Sequence, residues 1–369
     1  MAALKDIGTA VKLVSKLDMG KISKLSEKVN LDELIKTVSS MSESDLKMFM
    51  KMAKKSSGKE KKPLPEINGD FYNLSSTLTP KQNAIRLEIR AFMEQEVEPI
   101  INEYWSRDEF PKELIAKFRE LNLIGKIFNA DGSRTKDAGI LEGIASMEMA
   151  RIDVSTATFF GVHAGLAMCS ILVAGSDEQR KEWLPKMRNM DIIGAFGLTE
   201  PTVGSGAAGG LTTTCKREGD SWVLNGEKYW IGNSTFADII IIWARDVADN
   251  EVKGFIVERT NPGFHVDKIM GKIALRAVEN GHIKLTNCRV NDKNRLQNAT
   301  SFRSTADVLR MTRAGVAWQA VGAAMGAYEK ALKYAQTREQ FGREIGNFQL
   351  IQSHLVHMLG DVTAMYTMC

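Results

Sequence analysis

The chain is poor in cysteine, and its four, Cys169, Cys215, Cys288 and Cys369, stand far apart with no CxxC spacing. That distribution excludes a zinc ribbon or a disulfide framework and points to a reducing compartment. Also missing is any run of about 18 uninterrupted apolar residues, so an integral membrane protein is not expected. No arginine precedes Arg86, and the formal net charge is only +4. Without an arginine-bearing basic face on the folded body, a nucleic-acid partner is not expected either. What positive charge there is sits at one end: residues 1–62 hold fourteen lysines against eight acids, a net +6, which leaves the remainder at −2. A mitochondrial presequence is arginine-rich and poor in acids. With Asp6 and Asp18 so early, residues 1–66 are expected to be an accessory lysine-rich helical extension, ending in the linker KKSSGKEKKPLP, with a targeting peptide as the alternative.

At 44% hydrophobic and 25% charged, the composition is that of a globular protein with a sizeable core. From Thr79 to about Met190 the apolar residues recur at helical spacing. Ser176 with Gln179 reads as a capping box that opens a short helix. Near Ile192 the period becomes strand-like. SWVLNGEKYWI predicts a hairpin turning at Asn225 and Gly226, and ADIIIIWAR (Ala237 to Arg245) and GFIVER (Gly254 to Arg259) read as buried strands. From Ser304 the helical pattern returns. The stretch Val308 to Tyr334 is rich in small residues, including Gly322 and Gly326, which let another helix approach closely. A last helix runs from about Asn347. The expected architecture is mostly α with a central β-barrel: extension and linker 1–66, helical domain 67–191, β-barrel domain 192–298, and a C-terminal helical bundle 299–369. Two helices do not close a bundle, so the chain is expected to be shortened.

GLTEPTVGS (Gly197 to Ser205), KYWIGNSTFAD (Lys228 to Asp238) and TREQFGREIGNFQLIQ (Thr337 to Gln352) fall in this order at the start of the β domain, after the predicted hairpin and between the last two helices. Together they resemble the acyl-CoA dehydrogenase and oxidase flavoprotein family from about Asp70 to Cys369. The strings around GNSTFAD and AWQ are similar to those of glutaryl-CoA dehydrogenases and plant peroxisomal short-chain acyl-CoA oxidases. The resemblance implies FAD as cofactor and conversion of an acyl-CoA to a 2-enoyl-CoA. A flavin needs an apolar platform and backbone donors at its polar edge, since unpaired buried heteroatoms are costly. By the same resemblance Phe196, Leu198 and Thr199 line that edge, and Trp230, Ile231 and Gly232 form the wall. Read from the hairpin alone, Trp230 fits better as a core aromatic. Arg338 is the implied cation for the FAD pyrophosphate, contributed across a subunit interface with Phe341 and Gln349; read alone, it is a solvated charge at a helix end. Ser205 is implied to meet the cofactor and the thioester arm, and Arg313 the CoA moiety, with a structural ion pair as the alternative for Arg313.

Several positions depart from the family pattern. The usual hydroxyl after WI is Gly232, and the usual aspartate after GS is Gly206. Where glutaryl-specific members hold an arginine the sequence has Ala157, so a short monocarboxylic acyl-CoA is expected. No catalytic base is identified: the family's glutamate is expected beyond Cys369, and the alternative position on the first bundle helix holds Thr312, which cannot serve as that base. A homo-oligomer, dimer or tetramer, is implied, with an electron-transfer flavoprotein or oxygen as acceptor and a peroxisomal or mitochondrial-matrix location. The alternative is a catalytically inactive paralogue that binds acyl-CoA or FAD, or acts as a scaffold.

Overall fold

Side-chain caps open the first and last helices of the helical domain. Thr79 and Gln82 form a reciprocal capping box at the start of α1 (Pro80–Phe92), with Pro80 in its first turn. Ser176 and Gln179 do the same for α7 (Asp177–Arg188). The computed structural model describes residues 67–369 together with Ser40, Ser42, Ser44, Asp45 and Met48. The helical reading of residues 1–66 otherwise lies outside the described residues.

Between these two helices run α2 (Ile101–Arg107), α3 (Leu114–Leu121), α4 (Leu123–Ile127), α5 (Ala138–Ile152) and α6 (Val154–Ala174). By length and composition α6 is apolar enough to cross a bilayer, but 67% of that window is buried inside the fold, as befits a core helix. Its middle, Gly161–Met168, widens into a π-helix, a local form that helical periodicity does not reveal and that often marks functional sites.

Strands β1 (Gly194–Gly197), β2 (Thr214–Glu218), β3 (Ser221–Ile231), β4 (Ile239–Asp246), β5 (Val252–Glu258), β6 (Phe264–Lys268) and β7 (Gly281–Asn291) make one mixed sheet. The order is β1-β4-β2-β3-β7-β6, with β5 also pairing β4. β1 and β2 run parallel to β4 and follow one another along it. The sheet is thus a curled half-barrel rather than a closed barrel. The two β-branched runs are β4 and β5, paired antiparallel, and β4 is buried along nearly its whole length.

The predicted turn at Asn225 and Gly226 is corrected. Both residues lie inside β3, and the β2–β3 turn is made at Gly219 (φ 61) and Asp220. Gly226 adopts φ 142 where the β3–β7 register shifts, and a Cβ there would crowd the Thr213 backbone. Asn-Gly supplies positive φ to a bulge as readily as to a turn, and that ambiguity misled the sequence reading.

The long helix α8 (Phe302–Thr337) leads through a short hairpin, β8 (Glu339–Gln340) and β9 (Arg343–Glu344), to α9 (Gln349–Met368). α8 lies directly on α5. A Cβ at Gly322 or Gly326 would strike the carbonyl oxygens of Met147 and Arg151, and one at Gly143 would strike the Trp318 ring. Small residues on both helices therefore set the approach, as the composition of α8 predicts.

His163, in the π-helical stretch, ties the helices to β1. Its Nε2 lies 2.9 Å from the Met187 carbonyl, and its Nδ1 accepts from the Gly194 N–H at 3.0 Å. Nδ1 must accept, so the imidazole is neutral with its proton on Nε2. Burial lowers its pKa to about 4, although the Met187 carbonyl and Asp238 pull the other way. The stability this contributes is full above the ordinary histidine pKa of about 6.5. It is lost as pH falls toward 4, because only the unfolded chain then takes the proton. Across that window His163 is expected to steepen the loss of stability by roughly 1.4 kcal/mol per pH unit. Denaturant unfolding from pH 7 to 4.5 should show this slope in the parent protein and a flatter one in His163→Gln.

Candidate active site

Where β3 meets β7 the ladder breaks. The register shifts between Lys228 and Ile231, so Tyr229 and Trp230 bulge from the sheet. Trp230 takes a left-handed conformation (φ 62), uncommon for a bulky residue and a sign of functional constraint. The residue is 52% exposed, which removes the reading of Trp230 as a core aromatic. Ile231 beneath it is buried, and so is Gly232. A Cβ at Gly232 would come within 3.3 Å of Val162 Cγ2 and 3.4 Å of Val278 Cγ1. The space beside Gly232 is therefore nearly filled by two valines.

Beside this wall runs the segment after β1. Phe196 is buried and tilts against Trp243 at 6.3 Å, and Leu198 is buried. The Thr199 carbonyl accepts from Tyr229 N–H at 2.8 Å, and the Leu198 carbonyl accepts from Lys228 Nζ at 3.1 Å. Among the described residues the Leu198 and Thr199 N–H groups have no acceptor. A flat ring with an apolar face and a polar edge fits this arrangement: the indole and Ile231 offer the face, and two unengaged amides offer the edge.

Sequence reasoning missed what fixes the segment. Lys228 and Glu200 form an ion pair at 2.8 Å with both side chains fully buried. Glu200 also accepts from the Thr212 N–H and hydroxyl (2.7 and 2.6 Å) and from the Thr213 N–H (2.9 Å). Burial alone would raise the Glu200 carboxyl, but Lys228 and the two threonines hold it at about 2. Burial lowers Lys228 to about 8 against the pull of Glu200, so the pair is ionised at neutral pH. Both residues stand inside quoted motifs, but nothing local in the sequence signals a partner 28 positions away.

Ser205 lies exposed in the following loop, with no hydrogen bond among the described residues, and a Cβ at Gly206 would meet open space. Arg313 is exposed on α8 and has no ion pair among the described residues, unlike the structural alternative. Thr312 faces α6: its Cγ2 would lie 3.5 Å from a Cβ at Gly165, and its hydroxyl donates to the Leu309 carbonyl at 3.2 Å. Val162 stands beside Gly232 and Gly165 beside Thr312, so two residues three apart in the π-helical stretch neighbour the wall and Thr312. Ala157 is buried and apolar. The two buried carboxylates near the wall are engaged: Glu200 as described, Glu279 by the Thr235 hydroxyl at 2.7 Å and the Phe110 N–H at 3.2 Å.

Arg338, Phe341 and Gln349 gather around the hairpin between α8 and α9, apart from the wall. Phe341 (φ 53) and Gly342 (φ 75) make its turn, the φ signs of a type I′ hairpin. Arg338 caps α8, its N–H donating to the Tyr334 carbonyl, and its carbonyl accepts from the Ile345 N–H, each at 2.8 Å. Its side chain is exposed, and so is that of Gln349. Phe341 is 91% exposed, its ring meets Phe348 edge-on at 6.1 Å, and Arg343 lies over Phe348 at 4.2 Å.

The acyl-CoA dehydrogenase N-terminal domain matches residues 79–191, the middle domain 195–288 and the C-terminal domain 302–369. The rat mitochondrial short-chain specific acyl-CoA dehydrogenase is 33% identical over 288 residues, 77% of this chain and 70% of that one. The glutaryl-CoA dehydrogenase of Mycobacterium smegmatis, solved in complex with FADH2, superposes with a TM-score of 0.75 at 32% identity, over 80% of this chain and 75% of that one. The butyryl-CoA dehydrogenase of Megasphaera elsdenii superposes with a TM-score of 0.73 at 28% identity, over 79% of each chain.

Proposed function

The chain belongs to the acyl-CoA dehydrogenase family, flavoprotein oxidoreductases acting on the CH–CH bond, and on that premise we propose that it oxidises short-chain acyl-CoA to 2-enoyl-CoA with FAD against Trp230. The observation that carries this is the half-exposed indole on a left-handed backbone beside two unengaged amides. FAD, when bound, supplies the hydride acceptor. Trp230 and Ile231 present an apolar face that excludes water from one side of the reacting centre, and Leu198 and Thr199 donate to its polar edge. Gly232 contributes only backbone, and Phe196 packs behind. Ser205 meets the thioester arm and the cofactor, and Arg313 the CoA. Buried Ala157 offers no cation for a second carboxylate, which favours a monocarboxylic acyl chain.

Arg338, Phe341 and Gln349 hold the pyrophosphate end for a neighbouring copy. Their separation from the wall and the exposed apolar side chains of Phe341, Leu350, Val356 and Met368 favour a homo-oligomer, dimer or tetramer. Reduced cofactor would pass its electrons to an electron-transfer flavoprotein or to oxygen, in the peroxisome or the mitochondrial matrix. Among the described residues no carboxylate near the wall is free to remove the proton next to the thioester, since Glu200 and Glu279 are both engaged.

A guanidinium bonded to a phosphate is a charge-assisted contact. Arg338→Gln is accordingly expected to weaken FAD retention roughly 10- to 100-fold, read by equilibrium dialysis. An affinity unchanged within twofold would remove Arg338 from the site.

A further inference from the structure

Asn280 closes the gap that the bulge leaves in the sheet. The β3–β7 ladder has no pair at Tyr229 or Trp230 and resumes at Ile231 and Gly281. In its place the Asn280 side-chain Nδ2 donates to the Trp230 carbonyl at 2.9 Å. The same Nδ2 is 3.9 Å from where a Gly232 Cβ would stand. The other end of the amide is fixed by Lys272, whose Nζ donates to Asn280 Oδ1 at 2.6 Å, to the Leu275 carbonyl at 2.7 Å and to the Val278 carbonyl.

This chain of bonds has one sense only. An ammonium donates and cannot accept, and a carbonyl accepts and cannot donate. The amide between them must therefore turn oxygen to Lys272 and nitrogen to Trp230. Lys272 in effect chooses the rotamer of Asn280, and Asn280 then holds a tryptophan whose left-handed backbone is unfavourable by itself. Leu275, in the loop that Lys272 gathers, is also left-handed (φ 50), so three bonds from one ammonium hold that loop in shape. Burial lowers Lys272 to about 8, opposed by Asp108 and reinforced by Lys268 and Arg276, which leaves it charged at neutral pH.

We propose that Lys272 and Asn280 are positioning residues for the flavin wall, acting in series on the Trp230 carbonyl and so on the pose of its indole. The proposal rests on the reading of Trp230 as that wall. Neither side chain needs to touch a substrate or cofactor for it to hold.

Two variants and two readouts test it. Asn280→Asp keeps an acceptor for Lys272 but offers the Trp230 carbonyl no donor, and Lys272→Met frees the amide to turn. In FAD-free protein, hydrogen exchange of the peptide covering Tyr229 to Gly232 is expected to quicken in both variants, with Lys272→Arg, which retains donors, close to the parent. In FAD-loaded protein, both variants are expected to retain the cofactor roughly tenfold less tightly, with brighter bound-flavin fluorescence as the indole leaves its quenching pose. Exchange and fluorescence equal to the parent in both variants would overturn the proposal. If the parent takes up no flavin, the proposed function fails, and the exchange readout decides the relay by itself: quickening supports it, parental exchange overturns it.

Discussion

Thr312→Glu is expected to raise the rate at which the FAD-loaded 369-residue chain oxidises butyryl-CoA by about 100-fold or more, the usual worth of a well-positioned general base. The reaction begins with loss of a proton from the carbon beside the thioester, and a threonine hydroxyl is far too weak a base to take it. Thr312 packs beside Gly165 of α6, three residues from Val162, which lies beside Gly232 of the wall. Gly165 has no side chain to obstruct a longer residue there. The nearby buried carboxylates offer no substitute, because Glu200 and Glu279 are already engaged. Thr312→Gln, equal in size to the glutamate but unable to accept the proton, separates basicity from packing. Stopped-flow reduction with butyryl-CoA should be fast in Thr312→Glu and slow in the parent and Thr312→Gln. Equal rates in the two variants would show that α8 does not face the reacting carbon. Tight acyl-CoA binding without reduction in all three would favour a non-catalytic paralogue.

Glu148→Ala should destabilise the fold by about 3–5 kcal/mol, the cost of leaving buried charge without its partner. Glu148, on α5, is fully buried and takes Arg86 at 3.0 Å and Arg90 at 2.9 Å from α1. Arg151 lies 3.4 Å away and reaches on to Glu94 and, at 2.8 Å, to Glu329 of α8. Three arginines and three glutamates thus join α1, α5 and α8 with balanced charge. Removing the central carboxylate leaves Arg86 and Arg90 without an ion-pair partner among the described residues. Glu103, which pairs with Arg107 on the surface of α2 with both side chains largely exposed, makes the control, and Glu103→Ala should cost less than about 1 kcal/mol. Urea unfolding of the two variants checks the contrast, and equal midpoints would remove the network from the stability of the helices.

The sequence read most clearly where local pattern and local chemistry coincide. The capping box at Ser176, the buried runs that became β4 and β5, and the small residues along α8 each follow from a few adjacent side chains, and the structure keeps all of them. Asn225 and Gly226 misled because a bulge and a hairpin turn ask for the same backbone freedom. The π-helical stretch around His163 was invisible because widening a helix leaves its apolar spacing almost unchanged. In the candidate site, Trp230 and its neighbours stand in motif strings that draw the eye to them. What holds them was not legible: Glu200 meets Lys228, and Lys272 meets Asn280 and then Trp230, through contacts between distant positions. Polar residues of that kind look like ordinary surface charge until the chain folds.

The central claim, a flavin ring seated on Trp230, is tested most directly by the visible absorption spectrum of the purified 369-residue chain after loading with FAD and exhaustive desalting. A yellow protein carrying close to one flavin per chain, whose spectrum shifts with butyryl-CoA and whose colour is lost in Trp230→Ala, is the predicted result. A parent chain that emerges colourless, or a Trp230→Ala chain that retains flavin as tightly as the parent, would contradict it.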